Sequence, residues 1–167
     1  GTAINNEFLS KSKNNFLASI YFEDDYVGFS ILDNSTGEMF CGEINKNDIN
    51  KILSNYEINE FLVGEDQECL LKDILKNDCM ISTYESWKNN YSMSYDRLIE
   101  QFKTKSLKGF GIENDKLAII AASACVLYVE TNFFGKTNHI NSINKINLNG
   151  VMHLDIFTIK NLEIFES

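Results

Sequence analysis

The chain is short of positive charge. It has 15 Lys and Arg residues against 24 Asp and Glu, which gives a formal net charge of −9. Surfaces that bind nucleic acid through its phosphates depend on clustered Lys and Arg, so this composition argues against such binding as the main role. Lys103, Lys105 and Lys108 form one local basic group, which a solvated helix end explains.

Residues typical of metal or nucleophilic sites are also scarce. His139 and His153, the only two histidines, stand apart with no cluster of ligands around them, so structural roles are expected for both. No Ser-His-Asp or Cys-His pairing is indicated. The four cysteines lack metal-type spacing and are predicted to be buried free thiols in a reducing compartment: Cys41, Cys69, Cys79 and Cys125.

No signal peptide or membrane span is recognisable, so a cytoplasmic location and no membrane partner are expected. The apolar run at residues 117–129 is shorter than the roughly 20 residues that cross a bilayer. The 167 residues begin with Gly1 rather than Met and include no proline. A helix-like apolar pattern continues up to the last residue, Ser167. Together with the start at Gly1, this pattern suggests a segment of a larger protein.

Three β-rich runs open the chain at residues 15–22, 26–32 and 38–44, separated by an acidic turn and by a cluster of turn formers. Helices are predicted from Asn47 to residue 56 and over residues 67–76, and each is followed by a short strand, at 61–63 and 80–84. The order β-β-β-α-β-α-β predicts an α/β fold, in which an antiparallel meander continues as parallel units. This is the order of a ribonuclease H-like mixed sheet.

An α-helical segment follows this sheet. Ser94 is the predicted cap of a helix that runs to about residue 103, and Asn114 is the predicted cap of the long apolar helix at 117–129. A final helix is predicted to begin at Asp155. The helix at 117–129 is apolar nearly all round, so we expect it to be buried on more than one side, as a joint between two bodies.

These predictions divide the chain into residues 1–115, a ribonuclease H-like domain, and residues 116–167, the long helix and the truncated start of a helical domain. We expect the far side of the long helix to be partly exposed, or covered by residues 140–165 or by a second copy of the chain. At the joint, Gly109 or Gly111 is predicted to adopt a backbone conformation closed to other residues.

Possible site motifs each have a simpler explanation. Gly135, Lys136 and Thr137 resemble the end of a phosphate-binding loop, but Glu130 stands where that motif needs glycine, so a helix-ending turn is predicted. Gly109 and Gly111 form a lone G-x-G without a preceding strand. Three acidic residues are candidates for a metal site. Asp33 is predicted to be a turn residue instead, and Glu65 and Asp66 are predicted to start a helix. No catalytic, cofactor-binding or metal-binding residue is therefore assigned.

Several stretches together resemble the MutS family of DNA mismatch-recognition proteins. They include NNFLASI at residues 14–20, LDNSTGE at 32–38 and SLKGFGIE at 106–113. Further matches lie at residues 28–31, 121–122, 128, 130–131, 139–140, 152, 154–155, 158 and 161–164. Their order and spacing cover essentially the whole chain and resemble that family's connector domain followed by the start of its lever or core domain.

The resemblance implies a non-catalytic connector between a mismatch-reading domain and an ATPase, which meets a MutL-type partner. Mismatched DNA, ATP and Mg²⁺ would be bound by other parts of the full-length protein, which would be a homodimer, and no cofactor is expected in this segment. Ser123 stands where the family usually has Gly. Two alternatives stay open: a metal-dependent nuclease on the same fold, and an autonomous DNA-binding module.

Overall fold

A computed structural model describes residues 16–75, 78–133 and 135–146. These residues form a six-stranded sheet. The strands are β1 (Phe16–Glu23), β2 (Tyr26–Asp33), β3 (Glu38–Asn45), β4 (Ile58–Gly64), β5 (Met80–Tyr84) and β6 (Asn144–Lys145). Their order across the sheet is β5-β4-β1-β2-β3-β6.

The sheet is mixed, as the sequence predicts. β2 pairs antiparallel with both β1 and β3, whereas β4 pairs parallel with β1 and β5 pairs parallel with β4. This α/β arrangement is confirmed, and its strand order is compatible with a ribonuclease H-like sheet. The sequence did not predict β6, a two-residue strand that runs parallel to β3 and lies within the Asn-rich connection.

Four α-helices lie among the described residues: α1 (Ile49–Leu53), α2 (Glu68–Ile74), α3 (Tyr91–Phe102) and α4 (Lys116–Asn132). The predicted caps of α1 and α3 are wrong. The side chain of Asn45 accepts from the amide of Asn47, so a 3₁₀ turn at Lys46–Asp48 precedes α1. Asn90 caps α3 by accepting from the amide of Met93, which places Ser94 inside the helix, fully buried. The predicted helix at Asp155 lies outside the described residues.

Alternation along the strands creates two apolar cores, one on each face of the sheet. Leu17, Leu32 and Leu62 face the first core, which α3, α4 and the loop between them cover. On the opposite face, Phe29 and Phe61 belong to the second core, which α1 and α2 cover. The result is three layers, with the sheet between two pairs of helices.

Helix α4 is buried on nearly every side, which confirms the expectation for residues 117–129. Residues 117–126 are all buried, and only Leu127 and Tyr128 of the predicted run are half-exposed. One side packs on β1, β2 and β3, and α3 covers the outer side together with Ile140 and Ile143. The far side is thus covered rather than partly exposed. Ile140 and Ile143 belong to the range 140–165 that was expected to cover it, whereas cover by α3, which precedes α4 in the chain, was not expected. None of the described helices is long and apolar enough to cross a membrane.

The expectation of four buried thiols holds for two cysteines. Cys41 and Cys125 are fully buried, and burial raises the pKa of each thiol to about 12. Cys69 and Cys79 are exposed, which corrects the prediction. The reason is position: Cys69 lies in the first turn of α2, where only Leu71 of the helix is buried, and Cys79 precedes the edge strand β5.

One of the two joint glycines requires a special backbone conformation. Gly111 has φ +76, in the left-handed region, whereas Gly109 lies in a 3₁₀ turn with no positive φ. Nothing lies within 4 Å of a Cβ built at either position, so backbone conformation alone separates them. We expect Gly111→Val to lower the free energy of unfolding by about 1–3 kcal/mol.

Gly109→Val is the matched control and should change the free energy of unfolding by less than about 0.5 kcal/mol. Urea denaturation of the two variants and the parent measures the difference. Equal midpoints for the two variants would show that the loop is only a spacer.

Candidate functional site

The first turn of α4 is held by groups from three strands. A Cβ on Gly28 of β2 would lie 2.1 Å from the carbonyl oxygen of Leu117, so only glycine permits this approach of strand and helix. A carboxylate oxygen of Glu43 on β3 accepts from the amide of Leu117 at 2.7 Å. Asp115 pairs with Lys145 of β6 at 2.8 Å. The predicted cap Asn114 makes no such bond; the cap comes from a distant strand.

Glu113 closes the loop between α3 and α4. Its carboxylate accepts from the amide of Leu107 at 2.9 Å and from the hydroxyl of Tyr95 on α3, 2.7 Å from one oxygen and 2.9 Å from the other. The hydrogen bond to Glu113 raises the pKa of Tyr95. One side chain therefore closes the turn at residues 107–113 and ties it to α3.

A buried polar network joins α3 to α4. The amide group of Asn89 donates to the carbonyl of Ile120 at 2.9 Å, and its oxygen accepts from Ser94 at 2.8 Å and from Arg97 at 3.0 Å. Arg97 also donates to the hydroxyl of Ser123 at 2.6 Å. Burial lowers the pKa of Arg97. Ser123 thus supplies an acceptor for a partly buried guanidinium.

The C-terminal half of α4 contacts the part of the sheet formed by β4 and β5. The carboxylate of Glu60 on β4 accepts from the hydroxyls of Tyr128 and of Ser82 on β5. Burial and the hydrogen bond to Glu60 raise the pKa of Tyr128. Polar contacts from β3, β4 and β6 and from α3, together with the close approach of β2, therefore fix α4 along its length.

The turn between β2 and β3 meets the segment that follows α4. Asp33 accepts from the amide and the hydroxyl of Ser35, which confirms its prediction as a turn residue. Asn34 hydrogen-bonds to the ring of His139 at 3.0 Å, which ties the turn to the segment after α4. Gln101 of α3 donates to the carbonyls of Thr137 and Ile140 at 2.8 and 2.6 Å. His153 lies outside the described residues.

The remaining sequence motifs take structural positions. Gly135 has φ +74 and its amide donates to the carbonyl of Glu130 at 2.9 Å, which confirms a helix-ending turn. Glu65 and Asp66 lie in a 3₁₀ turn before α2, as predicted. Within the described ranges, no group of three or more His, Cys, Asp or Glu residues is placed to hold a metal ion.

A family model described as MutS domain II matches residues 15–141. The chain belongs to the MutS domain II family. The DNA mismatch repair protein MutS of Flavobacterium psychrophilum is 38% identical over 167 residues, which are 100% of this chain and 19% of that protein. The MutS of Flavobacterium johnsoniae is 36% identical over the same shares, and that of Parabacteroides distasonis is 35% identical over 98% of this chain and 19% of its own length.

The chain thus spans about a fifth of the curated MutS proteins that it matches. The MutS domain II match passes residue 115 and includes α4, in agreement with the packing of α4 on the sheet. The structure brings the family-like stretches 32–38 and 139–140 together, and Glu113 anchors the stretch 106–113. The predicted second domain at 116–167 stays a prediction, because residues 147–167 are not described.

Sequence reasoning missed the anchoring residues that come from outside their own element. Glu43 lies 74 positions before its amide partner, and Asn89 bonds across 31 positions. Neither residue stands out in the sequence, because acidic residues at strand ends and asparagines before helices are common. Glu113 belonged to a family-like stretch, which was the only available indication.

Removing the distant cap should destabilise the protein. Glu43→Ala leaves the amide of Leu117 without its acceptor, so we expect a loss of about 1–2 kcal/mol in the free energy of unfolding. Asn114→Ala is the control and should change this free energy by less than about 0.5 kcal/mol. Urea denaturation measures both. A larger loss for Asn114→Ala than for Glu43→Ala would restore the original prediction.

Asn89→Ala should also be destabilising, by about 2–3 kcal/mol, because it leaves the buried hydroxyl of Ser94 and the guanidinium of Arg97 short of an acceptor. Asn138→Ala, at an exposed loop position, is the matched control. Thermal and urea unfolding followed by circular dichroism would test the pair. Equal stability of the two variants would show that the network contributes little.

Proposed function

We propose that this chain is a non-catalytic connector of a MutS-like mismatch-recognition protein. The observation that carries the proposal is the match to MutS domain II, combined with the fixation of α4 by the sheet and α3. In this role the chain links a mismatch-binding region to an ATPase region. The family relationship supports the role, since the matched relatives are named DNA mismatch repair proteins.

A connector can pass a displacement only if it moves as one body or has two discrete arrangements. The ties around α4 favour the first behaviour. Glu43 and Gly28 fix its start, Asn89 and Arg97 fix its outer side, and Glu60 fixes its end. A force applied at either end of α4 would therefore move the sheet and α3 with it.

The partners follow from the same proposal. A MutL-type protein would dock on the connector, and mismatched DNA, ATP and Mg²⁺ would be bound by other regions of a homodimeric full-length protein. These assignments rest on the family match alone. The pull-down with MutL described below tests the docking of the MutL-type protein. No residue of this chain is proposed to act on a substrate.

A chimera tests the connector role. The homologous segment of Flavobacterium johnsoniae MutS, which is 36% identical, is replaced by this chain. We expect the chimera to keep mismatch-dependent ATP hydrolysis and to retain the MutL of that organism in a pull-down, because the connector's fold and ties are preserved. A chimera carrying Asn89→Ala should lose at least half of the mismatch stimulation, while one carrying Asn138→Ala should not.

Two results would contradict the proposal. One is a folded chimera that binds mismatched DNA but shows no coupling to ATP hydrolysis and no MutL retention. The other is cleavage of DNA by the isolated chain in Mg²⁺ or Mn²⁺ that Asp33→Asn abolishes, which would establish the nuclease alternative. Submicromolar DNA binding by the isolated chain at physiological salt would instead favour the DNA-binding module.

A further inference from the structure

Strand β5 forms one edge of the sheet in the part of the chain that the structure describes. A strand at the edge of a sheet presents unpaired backbone N–H and C=O groups on its outer side. Proteins usually protect such an edge with Lys, Pro, a bulge or a very short strand. The five residues Met80–Tyr84 have none of these features, because they are uncharged, contain no proline and pair with β4 in a regular register.

The opposite edge of the described sheet is better protected. Strand β6 has only two residues, and the ammonium of Lys145 in this strand pairs with Asp115 at 2.8 Å. A strand of this length offers few backbone groups to an added strand. Of the two edges, the one formed by β5 is therefore better suited to accept an added strand.

A groove beside β5 provides a place for a side chain of such a strand. Its volume is 550 Å³, and it lies between β4, β5 and the C-terminal half of α4. Leu62 and Ser82 line it from the sheet, and Leu127 and Tyr128, both half-exposed, line it from α4. When a strand is added to a sheet edge, main-chain hydrogen bonds supply affinity and pockets for alternate side chains supply specificity. The groove suits an aliphatic side chain in this role.

Large apolar side chains are exposed near both ends of β5. Met80 is 65% exposed at the start of the strand, and Trp87 is 68% exposed in the 3₁₀ turn Ser86–Lys88 that follows it. Met and aromatic residues are enriched in protein–protein interfaces relative to the rest of the surface. Their exposure beside an unprotected edge favours a protein partner over a small molecule.

The charges near the two ends of β5 indicate the chemistry of that partner. Asp78 lies two residues before the strand, and Glu85 follows it directly. Glu65 also lines the groove, whereas Lys88, another lining residue, pairs with Glu85 at 3.3 Å. A second copy of this chain paired antiparallel at β5 would place Asp78 beside Glu85, and like charges in paired strands are destabilising. Basic residues on the added strand would be attracted instead.

We propose that β5 is a docking edge for an extended segment of a partner protein. The segment adds a strand beside β5 and places an aliphatic side chain in the groove next to α4. It carries Lys or Arg on both sides of its apolar part, opposite the carboxylates of Asp78 and Glu85. This docking goes beyond the proposed connector role and does not depend on it.

A synthetic peptide tests the edge. The peptide is acetylated and amidated and has alternating Val and Thr residues between two pairs of Lys. The control peptide has Pro in place of the central Val, which keeps the charge but removes a main-chain donor and disfavours a strand. Amide hydrogen exchange of the full chain is followed by NMR. We expect the first peptide to slow the fastest-exchanging amides of β5 at least threefold and the control peptide to leave them unchanged.

Two variants test the groove and the charges, with isothermal titration calorimetry as the measurement. Leu127→Lys places a cation in the groove and should weaken binding of the first peptide at least threefold. Asn138→Lys, at an exposed position outside the groove, is its control.

The charge variant combines Asp78→Asn with Glu85→Gln and should also weaken binding at least threefold. Its control combines Glu38→Gln with Glu100→Gln, which changes the net charge equally at exposed positions on β3 and α3. Circular dichroism confirms that each variant is folded.

Several results would overturn the proposal. One is no protection of β5, or equal protection by both peptides, since charge alone would then explain the binding. Another is slow exchange of every β5 amide in the free, dilute chain, which would show that the edge is already covered. Protection that rises with the concentration of the chain alone would place a second copy at the edge. Unchanged affinity in both Leu127→Lys and the charge variant would exclude this surface as the binding site.

Discussion

The close approach of α4 to the sheet is the contact on which the rest of the arrangement depends. Gly28 lets the backbone of the first helical turn rest on β2, and at that distance Glu43 on the neighbouring strand can accept from the amide of Leu117. Beneath the helix, the strands carry the small side chains of Ser19 and Ser30. Both residues are fully buried, and their hydroxyls have no hydrogen-bond partner among the described residues. Burying these hydroxyls costs free energy, which the helix–sheet packing offsets.

Fixing α4 in turn decides where the other elements lie. Its outer side is apolar, so α3 must cover it, and the polar network of Asn89, Arg97 and Ser123 sets where α3 sits along it. The connection after α4 then returns along α3, where Gln101 binds two of its carbonyls. The chain reaches β3 again and adds β6 to the edge of the sheet.

The strands and the buried helix could be predicted because their signals are local. The β-rich runs mark strands β1 to β5 but not β6, and an apolar run without a polar face requires burial on all sides. Caps were less predictable, because several Asn and Ser residues near each helix start could serve. In the structure Asn45 caps the 3₁₀ turn before α1 and Asn90 caps α3, rather than Asn47 and Ser94. The cap of α4 could not be predicted at all, because it depends on strand β3 lying beside the helix.

The same reasoning explains why the expected open face of α4 is closed. A sequence pattern shows that a helix is buried but does not show which element buries it, and α3 precedes the joint in the chain. Gly111 forms the turn that brings α4 back onto α3, and Glu113 holds that turn. A MutS domain II built in this way resists internal shear, because sliding α4 would break the Glu43, Asn89 and Glu60 contacts together. On the proposed function, a conformational signal would therefore pass through the domain as a displacement of the whole unit.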